Sequence, residues 1–178
     1  MNARRRIAPG CLHDRVAPNL RVLFVGINPG LRSAALDHHF AGPSNRFWKL
    51  LFESGLVPER LTFEDDDRLP EWGYGVTNLV ARPTAGIGDL DPRELLAARD
   101  ALVRKIRRLR PRIVALVGTT VYRTLFGVKG PVTPGLAPER LGESLIFVLP
   151  NPSGRNAHHS YAEMVKAYRV LARMVMSR

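Results

Sequence analysis

Four polar residues stand where apolar runs end. Val22-Leu23-Phe24-Val25-Gly26-Ile27 runs into Asn28-Pro29-Gly30, the brief run from Gly75 to Val80 carries Asn78 toward its end, Ile113-Val114-Ala115-Leu116-Val117-Gly118 runs into Thr119, and Leu145-Ile146-Phe147-Val148-Leu149 into Pro150-Asn151-Pro152-Ser153-Gly154. A primary amide is both donor and acceptor and brings no charge, so it can orient a water and contact a polar ring. It cannot act as a general base, which restricts chemistry at Asn28 to positioning and hydrogen bonding. Gly26-x-Asn28-Pro29-Gly30 lacks the G-x-G-x-x-G spacing and the Lys-Ser/Thr pair of a phosphate loop, which argues against dinucleotide or ATP use. On residue type alone it reads equally as a tight turn. There is no nucleophile–base triad pattern. Cys11 is the single cysteine, and no Cys or Cys/His spacing suggests zinc or an iron–sulfur cluster. The acidic run Glu64-Asp65-Asp66-Asp67 has no further patterned ligand around it and reads as a solvated helix start or loop. No cofactor or metal is expected.

Placing these residues requires strands and helices in alternation. The four apolar runs read as buried strands. A helix is expected from Ser44 or Asn45 through Phe47, Leu50 and Leu51 to a stop at Gly55, with Ser44 as its cap. Asp91-Pro92-Arg93-Glu94 opens a longer helix to Leu109, with Asp91 as cap, Pro92 in the first turn and Glu94 at capping-box spacing. A short helix from Thr119 or Thr120 to Phe126, a Gly/Pro-rich stretch over 127–138 and a terminal helix over about 161–176 complete the chain. The order predicts an α/β fold, a single domain with a central, mainly parallel sheet and helices on both faces. Ligands of such sheets gather at the carboxyl ends of the strands, where Asn28, Asn78, Thr119 and Asn151 fall.

With 178 residues, 45% of them hydrophobic, the chain can bury one sizeable core. Residues 1–19 read as a basic arm ahead of a single domain over 20–178. Lys and Arg outnumber Asp and Glu 27 to 16, giving a net charge of +11 that favours a polyanionic partner. No apolar run is long enough to span a membrane or direct export, so a soluble, cytoplasmic protein without a membrane partner is expected. The densest basic run, Arg104 to Arg112, is interleaved with Val103, Ile106 and Leu109 and reads as the solvated face of a packed helix.

Four ordered segments resemble the mismatch-specific uracil and thymine DNA glycosylases, the second family of the uracil-DNA glycosylase superfamily. They are Gly26-Ile27-Asn28-Pro29-Gly30-Leu31, the stretch from His38-His39-Phe40 through Asn45-Arg46-Phe47-Trp48-Lys49, Gly75-Val76-Thr77-Asn78-Leu79-Val80-x-Arg82-Pro83-Thr84, and Leu149-Pro150-Asn151-Pro152-Ser153-Gly154. The resemblance implies a monofunctional glycosylase of the base excision repair type. It would hydrolyse the N-glycosidic bond of uracil, or of thymine or a modified pyrimidine, opposite guanine and leave an abasic site. The implied partner is double-stranded DNA with a mismatched or damaged base, met by a monomer at the bacterial nucleoid, with no cofactor.

The same resemblance implies roles by position. Asn28 would hold the water that attacks the sugar carbon, and His39 would be a catalytic pocket histidine that donates to a pyrimidine carbonyl or steadies the departing base. Phe40 would stack on the flipped base, with backbone amides near Ile27 and Phe40 reading its edge. Ser33 would line the pocket near the pyrimidine C5, Asn45 would line the pocket or fix its loop, and Asn78 would contact the base. Asn151, Ser153, Gly154 and Arg155 would contact DNA, with the Ser153 and Gly154 amides brought close to phosphate. Residue type alone leaves Phe40 open between a lid and a core aromatic, Ser33 between a pocket wall and a helix start, His39 between a catalytic and a surface histidine, and Asn78 between a base contact and a loop hydrogen bond; the whole leaves a non-catalytic DNA-binding protein on the same fold as the alternative. Phe47 and Trp48 read as core. The sequence departs from the uracil-directed pattern after Gly154, where Arg155 replaces an apolar residue and Ala157 a later arginine. Arg155 could wedge into the helix or bind phosphate. His158 and His159 are expected as exposed loop residues.

Overall fold

The computed structural model describes residue 10 and residues 12–177; Cys11 and the Arg4-Arg5-Arg6 run lie outside the described residues. Five strands, β1 (Val22–Gly26), β2 (Tyr74–Asn78), β3 (Ile113–Val117), β4 (Gly135–Leu141) and β5 (Ser144–Leu149), form one sheet in the order β2-β1-β3-β5-β4. The first four in that order are parallel, and β4 runs antiparallel along the edge of β5. Parallel strands need crossovers, and the helices that make them cover both faces. On one face Val22, Phe24, Ala115 and Phe147 pack with α2 (Phe47–Glu53) and α5 (Tyr161–Met176). On the other, Leu23, Val25, Val114 and Ile146 pack with α3 (Pro92–Leu109) and α4 (Thr119–Phe126). Adjacent strand residues therefore feed opposite cores, as the two-residue period of a strand dictates.

Four local expectations are corrected. The helix expected from Ser44 starts at Phe47, because Asn45 Oδ1 accepts the Phe47 amide at 3.0 Å and closes the turn ahead of it. A short helix, α1 (Leu31–Leu36), follows β1 directly, and β4 lies within and beyond the stretch read as a Gly/Pro-rich connection. Glu94 pairs with Arg82 at 2.8 Å, while Asp91 caps α3 as expected by accepting from the Arg93 amide at 2.7 Å. The acidic run is a 3-10 helix (Phe63–Trp72) in which Asp66 is wholly buried.

Contact with the sheet begins ahead of residue 20. Arg15 bridges Val76 in antiparallel fashion, and Leu12 is buried. The basic run of α3 leads toward the amino ends of the strands, where Arg112 donates to the carbonyls of Met174 and Ser177; Lys105, earlier in the helix, pairs with Asp14 at 2.6 Å and donates to Thr77 Oγ1 at 3.0 Å. No described helix is long and apolar enough to cross a membrane.

Candidate active site

A cleft of about 970 Å³ opens at the carboxyl ends of the parallel strands and takes in Asn28, Phe40, Asn78 and Asn151. Gly26, the last residue of β1, is its floor. A Cβ there would lie 2.6 Å from Asn78 Oδ1 and 3.8 Å from Phe40 Cζ, so glycine is what lets amide and ring close over the strand end. Asn78 makes no side-chain hydrogen bond among the described residues. The positions most widely spaced in the sequence motifs thus meet within one hollow.

Asn28 is held by the loop after β2. Its Nδ2 donates to Thr84 Oγ1 at 2.7 Å, to the Arg82 carbonyl at 3.2 Å and to the Pro29 carbonyl at 3.3 Å. Thr84 Oγ1 in turn donates to the Gly86 carbonyl at 2.7 Å, so its hydroxyl proton is committed elsewhere. Two carbonyls and a hydroxyl that can only accept fix which end of the amide faces them. Oδ1 is left as the free end, an acceptor for a water proton. The loop is secured in turn by a backbone bond from Thr84 to the Pro29 carbonyl and by Arg82 on Glu94. Thr84 thus orients the amide, a role that its place after Arg82-Pro83 in the sequence does not announce.

Phe40 is half-buried, with one ring face stacked on buried Phe47 at 4.0 Å and 26°. Phe47 and Trp48 are core residues, as expected, at 0% and 6% exposure. Neither the Ile27 nor the Phe40 amide has a protein acceptor among the described residues, which leaves both able to meet a ring edge. Ser33 is buried in α1 and lines the cleft, but its hydroxyl accepts the Ala41 amide at 3.0 Å, so it fixes the loop beyond Phe40 as well. Asn45 lines the cleft while its side chain closes the turn into α2.

His39 departs from the expected donor role. Its ring lies almost wholly buried with Nε2 2.9 Å from the His13 carbonyl, a partner that can only accept. Nε2 therefore carries the proton, and in the neutral ring Nδ1 is a bare acceptor. Burial pushes the His39 pKa below its ordinary value and keeps the ring neutral. The neutral ring can thus receive an N–H but cannot donate to a carbonyl from its remaining nitrogen.

The second rim is the loop from Asn151 to His159. Asn151 Oδ1 accepts the Ser153 amide at 2.9 Å, Ser153 Oγ accepts the Arg155 amide at 3.3 Å, and Asn156 Nδ2 donates to the Asn151 carbonyl at 2.8 Å. The Ser153 amide is thereby used within the loop, which corrects the expectation that it meets phosphate. A Cβ at Gly154 would lie 2.6 Å from Ser44 Cβ and 2.9 Å from its carbonyl oxygen, so this glycine serves the seat against Ser44. Arg46, the residue just ahead of α2, ties the loop down by donating its amide to the Pro152 carbonyl at 3.0 Å. Arg155 stands exposed at the rim and pairs with no carboxylate among the described residues. His159 is half-buried rather than exposed, and its Nδ1 has no partner among the described residues.

A doubly covered, mainly parallel sheet thus gathers an uncharged amide, an aromatic ring and free backbone amides around a cleft at its carboxyl end. Residues 13–172 match the family described as the uracil DNA glycosylase superfamily, and the chain belongs to that superfamily. Membership makes it a DNA-acting hydrolase of the base-excision type in general terms.

Proposed function

We propose that the chain is a monofunctional glycosylase that hydrolyses the N-glycosidic bond of uracil mispaired with guanine, with thymine and modified pyrimidines as further substrates, and leaves an abasic site. The observation that carries this reading is the forced orientation of Asn28, whose Oδ1 is the one end of the amide left for the cleft. A water accepted there can be aimed at C1′ of a nucleotide turned out of the duplex. Phe40 would stack on the extruded ring, and the Ile27 and Phe40 amides, Asn78 and His39 Nδ1 would meet its edge. Donors placed on the departing base lower its cost as a leaving group, the route open to an enzyme with no general base at position 28. No lysine among the described residues lines the cleft, which supports hydrolysis without a Schiff base and hence without strand cleavage. Mispairing lowers the cost of extrusion and supports a preference for mismatches.

The test is single-turnover base release from duplexes carrying one uracil, thymine or other lesion opposite each base. Wild type is expected to release uracil opposite guanine fastest. Asn28→Ala is expected to lose at least about 100-fold in that rate, in the range seen when positioning and electrostatic groups are removed, with duplex affinity kept. Duplex binding with no release by wild type would instead make this a non-catalytic DNA-binding protein on the same fold.

A further inference from the structure

Phe40 has a backbone φ of +52° and Asp37, three residues earlier, +55°, a left-handed conformation that side-chain-bearing residues disfavour. Something must hold the intervening loop, and the side chain at its centre is Asp66. This carboxylate comes from the 3-10 helix, is wholly buried, and accepts from Arg15 Nε at 3.0 Å, His38 Nδ1 at 3.1 Å and the His39 amide at 2.8 Å. The first two bonds fall on Oδ1 and the third on Oδ2. Arg15 also donates to the Asp37 carbonyl, and His13 bonds Asp37 through its amide and Nδ1, so the segment before β1 is strapped to the same loop. The left-handed residue is pinned on both sides: His39 N on Asp66, Ala41 N on Ser33 Oγ.

We propose that Asp66 is a positioning residue for the reaction, which acts through the loop 37–41 to hold Phe40 over the cleft. This deepens the glycosylase reading above and rests on it. The carboxylate accepts on both oxygens. An amide in its place cannot serve all three donors, because whichever way it turns, its NH₂ group faces either the His39 amide or the Arg15 and His38 nitrogens. Asp66→Asn therefore keeps shape and volume while breaking the loop's seat, and Trp48 gives a direct reporter because its Nε1 donates to the His39 carbonyl at 3.1 Å.

The experiment is a double-mutant cycle of Asp66→Asn with Phe40→Ala, read by single-turnover uracil release, duplex Kd and thermal unfolding, together with Trp48 emission in a Trp72→Phe background. Expected is a loss of about tenfold or more in release from Asp66→Asn, a change in Kd of less than about threefold, and no further loss when Phe40 is already alanine. Trp48 emission shifts at temperatures where the fold is intact. Additive losses, or unchanged release and emission in folded Asp66→Asn, would overturn the proposal. If that variant does not fold, Arg15→Gln and His38→Ala each remove one donor and carry the same cycle with the same criteria. A wild type that releases no base refutes the glycosylase reading, and the emission shift then decides alone whether Asp66 seats the loop.

Discussion

The two rims of the cleft are built by opposite means. At the Asn28 rim, the turn after β1 and the loop after β2 lock together, and three acceptors from that pair of loops dictate which end of one amide reaches the cleft. At the Asn151 rim, the loop braces itself through contacts two to five residues apart, and Arg155 is left exposed. A group that must aim a water needs its freedom removed by distant partners. A group that must meet a variable, mobile duplex needs only a firm stem. On the function proposed above, the first rim sets rate and the second grip, and each role can be broken separately.

The largest effect expected is from Asn28→Asp. On chemical grounds an aspartate adds a general base, yet here one of its oxygens would face the Arg82 and Pro29 carbonyls and a Thr84 hydroxyl whose proton belongs to Gly86. Oxygen would oppose oxygen at every contact. The variant is expected to lose about 1–3 kcal/mol of stability and most of its release rate. Thermal melts and single-turnover rates check both, and a faster, equally stable variant would break the idea that this rim admits only an amide.

A smaller effect is expected from Thr84→Val, which preserves shape and removes the shortest of the three bonds. The two carbonyls still favour the same amide orientation, so release should fall about tenfold, with duplex Kd unchanged and Thr84→Ser close to wild type. Loss of affinity in place of rate would show that this loop grips DNA and that the division between the rims is wrong.

What could be read beforehand follows the same division between local and distant causes. β1, β3 and β5 are legible because strands buried on both faces are near-continuous apolar runs, whereas β2, Tyr74-Gly75-Val76-Thr77-Asn78, offers only a brief one. β4 is not legible, because an edge strand half-exposed along its length, with Pro138 and a register shift between Leu136 and Arg140, carries the composition of a loop. Asn28, Phe40 and Asn78 are found through motif resemblance, and the sheet brings them together. The burial of Asp66 is invisible in an acidic run, since it depends on Arg15, 51 residues earlier, and on the His38-His39 pair. The service of Thr84 to Asn28 is equally non-local, and the tautomer of His39 rests on a carbonyl 26 residues away.

The smallest effect belongs to the other rim. Arg155→Ala removes an exposed side chain that pairs with no carboxylate and supports no backbone turn among the described residues, so folding and chemistry in the cleft should stand unchanged. What is lost depends on which of two contacts the guanidinium makes. A planar group inserted beside the vacated base stacks on neighbours that only a duplex holds in place, so its removal would slow release from a uracil–guanine duplex several-fold more than from a single strand. A phosphate contact exists in both substrates and would weaken both alike, with a salt dependence of binding that becomes shallower by about one counterion. The duplex-selective loss is the expected outcome, because the residue follows a glycine seated against Ser44 and a serine whose amide is already used, a stem that fixes where the side chain emerges. Release rates on the two substrates, each measured at two salt concentrations, separate the cases, and equal losses with a reduced salt slope would make this rim a phosphate clamp.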